Sequence, residues 1–148
     1  MSGELAPRVA LGSDHAGYEL KQHLAEHLGK LGVAVEDMGV YTSESADYPE
    51  PAHAVANAIE NGSAEFGVLV CGSGNGVNMV ANKHLGVRSA IAWNREVAEL
   101  ARQHNNANVL ALPARFIEHK EALAALDAFL AAKFEGGRHQ RRVSKIEP

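Results

Sequence analysis

The chain has 148 residues, 46% of them hydrophobic and 22% charged, with a net charge of −4. That predicts one soluble domain over residues 1–148, large enough to bury a core without disulfides or metal; an acidic chain is a poor partner for nucleic acid, and no apolar run approaches the about 20 residues of a membrane span. A single cysteine, and no basic stretch before an apolar core in Met1-Ser2-Gly3-Glu4, predict a reducing, cytoplasmic setting and no secretory signal.

Val9-Ala10-Leu11-Gly12 predicts a first strand. Residues 17–31 predict a helix, with Leu20, Leu24, Leu28 and Leu31 on one stripe and Gly32 as its stop. Val33-Ala34-Val35 is a weaker strand. Residues 50–61 predict a helix with Pro51 near its first turn. Phe66 to Val70 is a continuous apolar run of the buried-strand type, and a helix is predicted to start after Gly74. Ser89 to Ala92 and Val109 to Leu112 give two more strands. Between them, Val97, Leu100, Ala101 and His104 share a helical face. A last helix is predicted over 118–134, with Leu123, Leu126, Leu130 and Phe134 as its stripe. Alternating strands and helices imply an α/β fold: a three-layer α/β/α, Rossmann-like domain with a five-stranded parallel sheet. The charge is uneven: residues 136–148 carry +3 and residues 1–135 carry −7. This basic C-terminal tail has no core of its own, so it is expected to fold against something else, a partner subunit being one choice.

Ligands of such sheets bind beyond the carboxyl ends of the strands. Ser13-Asp14-His15 follows the first strand, Cys71-Gly72-Ser73-Gly74-Asn75-Gly76 follows the third, and His104-Asn105 and Arg115 flank the fifth; several of these are expected to meet at one rim. The glycine-rich turn lets backbone N–H groups approach an anion or a developing oxyanion. It lacks the dinucleotide G-x-G-x-x-G spacing and the Walker lysine, and a purely structural turn is the competing reading. Cys71 is either a small core residue or a thiol at a helix N-terminus, where the thiolate is favoured. Asp14 also fits a simple N-cap, and His104 a packed core histidine. Arg138 and Arg142, four apart, would share a helical face suited to a phosphate dianion. His23, His27, His53, His84 and His119 are scattered and read as surface residues. No spacing suggests a metal site, and no cofactor is expected.

In combination, Gly12-Ser13-Asp14-His15-Ala16-Gly17, Asp47-Tyr48-Pro49, Cys71 to Gly76, Ala81-Asn82-Lys83, Arg102 to Asn105, Asn108-Val109-Leu110 and Glu135 to Arg142 resemble the type B ribose-5-phosphate isomerases. That family also holds the galactose-6-phosphate isomerase subunits. The resemblance runs in order from residue 9 to 143. It implies that Cys71 is the base that moves a proton between C2 and C1, and that His104 opens the furanose ring with help from Asp14. It implies that Ser73 and the backbone of Gly72, Ser73, Gly74, Asn75 and Gly76 hold the enediolate. Asn105 would hold sugar oxygens, His15, Arg115, Arg138 and Arg142 the phosphate, and Tyr48 would line the pocket.

One branch of the family carries Cys at the position of Cys71; the other carries Glu just after the turn. Val77 stands at that later position here and cannot take a proton, which points to Cys71. The family works as dimers or dimers of dimers with shared sites, so His104, Asn105 and Arg115 would face a neighbour's Cys71 loop. The competing expectations are a hexose 6-phosphate isomerase, acting on allose or galactose phosphate, and a non-catalytic sugar-phosphate sensor.

Overall fold

A computed structural model describes residues 7–148. The N-terminal residues read above for a secretory signal lie outside that range. The elements in chain order are β1 (Arg8–Ser13), α1 (Tyr18–Lys30), β2 (Ala34–Asp37), α2 (Pro49–Glu60), β3 (Phe66–Cys71), α3 (Asn75–Ala81), β4 (Ser89–Ile91), α4 (Arg95–Asn105), β5 (Val109–Pro113), α5 (His119–Ala131) and α6 (Arg138–Val143). All five strands pair in parallel, in the order β2-β1-β3-β5-β4. The three-layer parallel α/β prediction therefore holds. The strand order, which sequence left open at the sheet edge, puts the three-residue β4 outside β5.

Strand side chains alternate between two cores, as a sheet covered on both faces requires. Val9, Leu11, Val68, Val70, Leu110 and Leu112 pack with α1, α4 and α5. Ala10, Leu69, Cys71, Val109 and Ala111 pack with α2 and α3. The chain leaves β1 for β2 on one side and reaches β3 on the other, so the topological switch lies between the carboxyl ends of β1 and β3. That crevice is where open α/β sheets bind ligands.

Helix ends are set locally. The Asn94 side chain accepts a hydrogen bond from the Val97 N–H at 2.9 Å and caps α4. At the other end of α4 the chain turns at Asn106, φ 49°. Arg102 donates there to Asn106 Oδ1 (2.9 Å) and to the Ala107 carbonyl (2.8 Å), with its guanidinium over the Phe66 ring. Burial lowers its pKa from the ordinary arginine value, with Glu65 opposing the shift and Arg88 adding to it.

Two expectations change. Helix α5 ends at Ala131, three residues before Phe134, so the predicted stripe stops at Leu130. The basic tail forms α6, which packs on α4 of its own chain and buries His139. Among the described residues no helix is long and apolar enough to cross a membrane.

Candidate functional site

Cys71 is the last residue of β3, opposite Pro113 of β5. Its side chain is 5% exposed and faces the α2–α3 layer. The turn that follows doubles back so that the Gly74 N–H points at Cys71 Sγ, 3.2 Å away. Gly74 takes φ 78°, a conformation that disfavours any residue with a Cβ. Ser73 Oγ accepts from the Asn75 N–H at 3.2 Å, and α3 begins at Asn75. The chain leaving β5 closes the other side of the turn: the Ala114 N–H donates to the Cys71 carbonyl (2.8 Å) and the Arg115 N–H to the Gly72 carbonyl (3.0 Å). The Arg115 side chain lies over Gly72, where a Cβ would sit 3.3 Å from Arg115 Cδ. Tyr48, at the start of α2, lays its ring against Gly76, where a Cβ would fall 2.6 Å from Tyr48 Cε1.

Strand β1 delivers the next group to the same crevice. The Asp14 N–H donates to the Val70 carbonyl at 3.2 Å. Asp14 Oδ1 accepts from the Gly17 N–H at 3.0 Å, so one oxygen does serve as a turn cap, as the simpler reading of that residue had it. His15 Nδ1 accepts from the Ala46 N–H at 3.1 Å. The Ala46 carbonyl lies 3.3 Å from the same ring nitrogen, so both backbone polar groups of Ala46 approach His15 Nδ1.

The loop that carries Ala46 is anchored by a pair that sequence reasoning missed. Lys21, fully buried on α1, donates to Asp37 Oδ1 (2.6 Å) and to the Val40 carbonyl (2.7 Å). The signal was present, because Lys21 falls on the same helical stripe as Leu24 and Leu28, where a charge needs a partner.

His104 and Asn105 lie elsewhere. They end α4, which runs antiparallel to the strands and hands the chain to the amino end of β5. Cys71 and Arg115 belong to the carboxyl end. The length of β5, about 13 Å at ~3.3 Å per residue, separates the two rims. Several of the clusters do meet at one rim, as expected: Asp14, His15, Tyr48, Cys71 to Gly76 and Arg115; His104 and Asn105 lie at the other. The structure also separates Arg115 from His104, with which it had been grouped, and sets it against the Cys71 turn of its own chain.

His104 is not a core histidine: its side chain is 40% exposed. It stacks on His139 of α6, ring centroids 4.2 Å apart and nearly parallel. Glu135 Oε1 is 3.7 Å from His104 Nε2 and 3.5 Å from His139 Nε2. Burial, then the neighbouring His104 and Arg138, lower the pKa of His139, with Glu135 opposing. Arg138 and Arg142 do share the short helix α6, exposed beside this cluster. The remaining histidines are surface residues as read, but the fold pairs them: His23 with His119, His53 with His84 and Glu60, and His27 with Asp127.

Several residues of the quoted motifs are structural. Asn82 holds Ser89 through paired hydrogen bonds, and Asn108 ties Gly86 and Arg88 to the entry of β5. Val77 is fully buried among the α2–α3 core residues.

Residues 9–146 match the family model described as Ribose/Galactose Isomerase. The chain belongs to that family. It is 43% identical over 139 residues, 94% of this chain and 93% of the relative, to ribose-5-phosphate isomerase B of Escherichia coli (strain K12). Among solved structures it resembles ribose-5-phosphate isomerase B of Clostridium thermocellum, with a TM-score of 0.93, 43% identity and 94% of each chain covered. The Mycoplasma genitalium ribose-5-phosphate isomerase B, solved with bound ribulose-5-phosphate, superposes with a TM-score of 0.91 at 44% identity, covering 97% of this chain and 95% of that one. The family assignment and the five-stranded sheet agree with the resemblance carried by the quoted motifs.

Proposed function

We propose that the chain is an aldose–ketose isomerase interconverting ribose 5-phosphate and ribulose 5-phosphate, with Cys71 as the base. The observation that carries this reading is the Cys71 turn: a buried thiol at the topological switch, with the Gly74 N–H 3.2 Å from its sulfur and Asp14, Tyr48 and Arg115 placed around the turn. The relatives named above, all ribose-5-phosphate isomerases, favour a pentose phosphate over a hexose phosphate.

The proposed chemistry is the one that the family resemblance implies for these residues. His104, with Asp14, exchanges protons with the ring oxygen and the anomeric hydroxyl to open the furanose. The Cys71 thiolate takes the C2 proton of the open aldose. The electron pair left behind forms the C1–C2 double bond, and charge moves onto O1. The N–H groups of Gly72 to Gly76 and the Ser73 hydroxyl stabilise that enediolate. The thiol returns its proton to C1 while the O2 proton passes to O1, giving the ketose. Hydrogen moves only as a proton.

Because Cys71 and His104 lie on opposite rims of one sheet, a complete site calls for two chains. One chain supplies Asp14, His15, Tyr48, the Cys71 turn and Arg115. The other supplies His104, Asn105, Arg138 and Arg142, the last two holding the phosphate. A homodimer or homotetramer with shared sites satisfies this. Exposed apolar side chains such as Met79, Leu85 and Trp93, close to β4, suit burial against a second copy. We place the protein in the cytoplasm, as one domain over residues 1–148, because its one thiol must stay reduced to act.

The deciding experiment follows C2 proton exchange and ketose formation by NMR from ribose 5-phosphate, with allose and galactose 6-phosphates as comparators. Cys71→Ala should lower kcat by at least about a hundredfold, the lower range for a general base, with an unchanged circular dichroism spectrum. Full activity in that variant overturns the assignment; a higher kcat/KM on a hexose phosphate overturns the substrate.

A further inference from the structure

The cluster formed by His104, Glu135 and His139 has more donor chemistry than ring opening needs. Its three ligand-type atoms lie within 4.8 Å of one another, and the two recorded separations from Glu135 Oε1 are 3.7 and 3.5 Å. Both are too long for good hydrogen bonds. A tetrahedral zinc ion at ~2.0–2.1 Å from each ligand wants its donors about 3.4 Å apart. Independently, His139 Nε2 is buried with no hydrogen-bond partner, on a side chain that is 9% exposed. An unpartnered ring nitrogen aimed into a cluster of two other donors is a vacancy in coordination chemistry as much as in hydrogen bonding. The groups with room to close on an ion are the exposed ones: the side chains of His104 and Glu135 are 40% and 50% exposed, while His139 is buried. The other histidine cluster lacks this character. There His84 Nδ1 meets Glu60 and His84 Nε2 meets His53 Nδ1 at 2.7 Å, so both ring nitrogens are already engaged.

We propose that His104, Glu135 and His139 bind one divalent transition-metal ion of the zinc, nickel or cobalt(II) class, and that the ion silences the isomerase by occupying His104. Two imidazoles and a carboxylate are a suitable ligand set for that class, leaving a fourth position for water. The ion would act as an inhibitor, since an imidazole nitrogen donated to a metal cannot shuttle a proton to the sugar ring. The inhibitory half rests on the isomerase reading of His104; the binding half does not.

The test is titration of the metal-free full chain with Zn²⁺ by calorimetry, alongside the rate of isomerisation with and without chelator. The expected result is one ion per chain, with affinity at least about tenfold weaker in Glu135→Gln and in His139→Asn, and unchanged in His84→Gln. Glu135 is half exposed, so Glu135→Gln keeps the test valid if His139→Asn loosens α6. Inhibition, normalised to each variant's metal-free rate, should follow binding. Undiminished affinity in both site variants, loss of affinity in His84→Gln, or no stoichiometric binding overturns the site. Binding as expected with no inhibition overturns the second half alone; the role of His104 is read separately from the metal-free rate of His104→Ala.

Discussion

Gly76 keeps the Tyr48 ring against the start of α3, and this close approach is where a single methyl should register on function. A Cβ there would fall 2.6 Å from Tyr48 Cε1, but Tyr48 is partly exposed and can swing aside. Gly76→Ala is therefore expected to change the melting temperature little and to raise KM several-fold, read by steady-state kinetics next to thermal unfolding. Gly74 differs, because its φ of 78° makes the backbone itself the obstacle. Gly74→Ala should both destabilise the protein, by about 1 kcal/mol, and turn the Gly74 N–H from Cys71 Sγ, lowering kcat; denaturant unfolding and initial rates check the pair. At this scale the sequence was informative where chemistry is contiguous. Cys71 to Gly76 is one uninterrupted motif, so its turn could be read directly. Lys21 with Asp37 and His139 with Glu135 were harder. Their importance lies in what burial does to them, and burial is a property of the fold.

Helix α1 and the Asp37–Val40 segment form one supporting unit beneath His15. The Lys21 ammonium has no exposure, and its partners Asp37 and the Val40 carbonyl fix the start of the loop that reaches Ala46. Asp37→Ala leaves that ammonium short of its carboxylate, and the expected loss is about 3 kcal/mol; Lys21→Met, which removes the charge itself, should cost less. Urea unfolding of the two variants gives the comparison. At the element level most of the architecture was legible, since short apolar runs marked all five strands, and helical spacing or turn signals the five longer helices. Helix α5 ended early because Phe134 continues the spacing of Leu126 and Leu130 while the backbone has already become extended, with Ala132 at φ −71° and ψ 153°. The tail looked coreless because α6 buries one side chain, His139, and a single buried histidine leaves no periodic trace.

Across the whole molecule, the placement of His104 is the ground for the proposed shared site. A residue just before a parallel strand sits at that strand's amino rim, since the crossover helix runs back along the sheet. The topology thus agrees with the expectation that His104 faces a neighbour's Cys71 loop, while Arg115, expected beside it, lies at the opposite rim. The resulting prediction is complementation. Cys71→Ala and His104→Ala, each inactive alone, should regain about a quarter of wild-type activity when mixed in equal amounts and allowed to exchange subunits. Half of the random pairs are then mixed, and each mixed pair holds one intact site of two. No recovery after demonstrated exchange would mean that each chain completes its own site.

The separation of the two rims also makes concentration a control variable. On the proposed roles, a chain that has folded but found no second copy would have a thiol without a ring-opening group and a histidine without a thiol. Its specific activity should then depend on mass action, falling in a dilution series as dimers dissociate and returning on reconcentration. Under the proposed shared site, catalysis would switch on only at pairing, and a newly made molecule would stay inert towards sugar phosphates until its population is dense enough to pair.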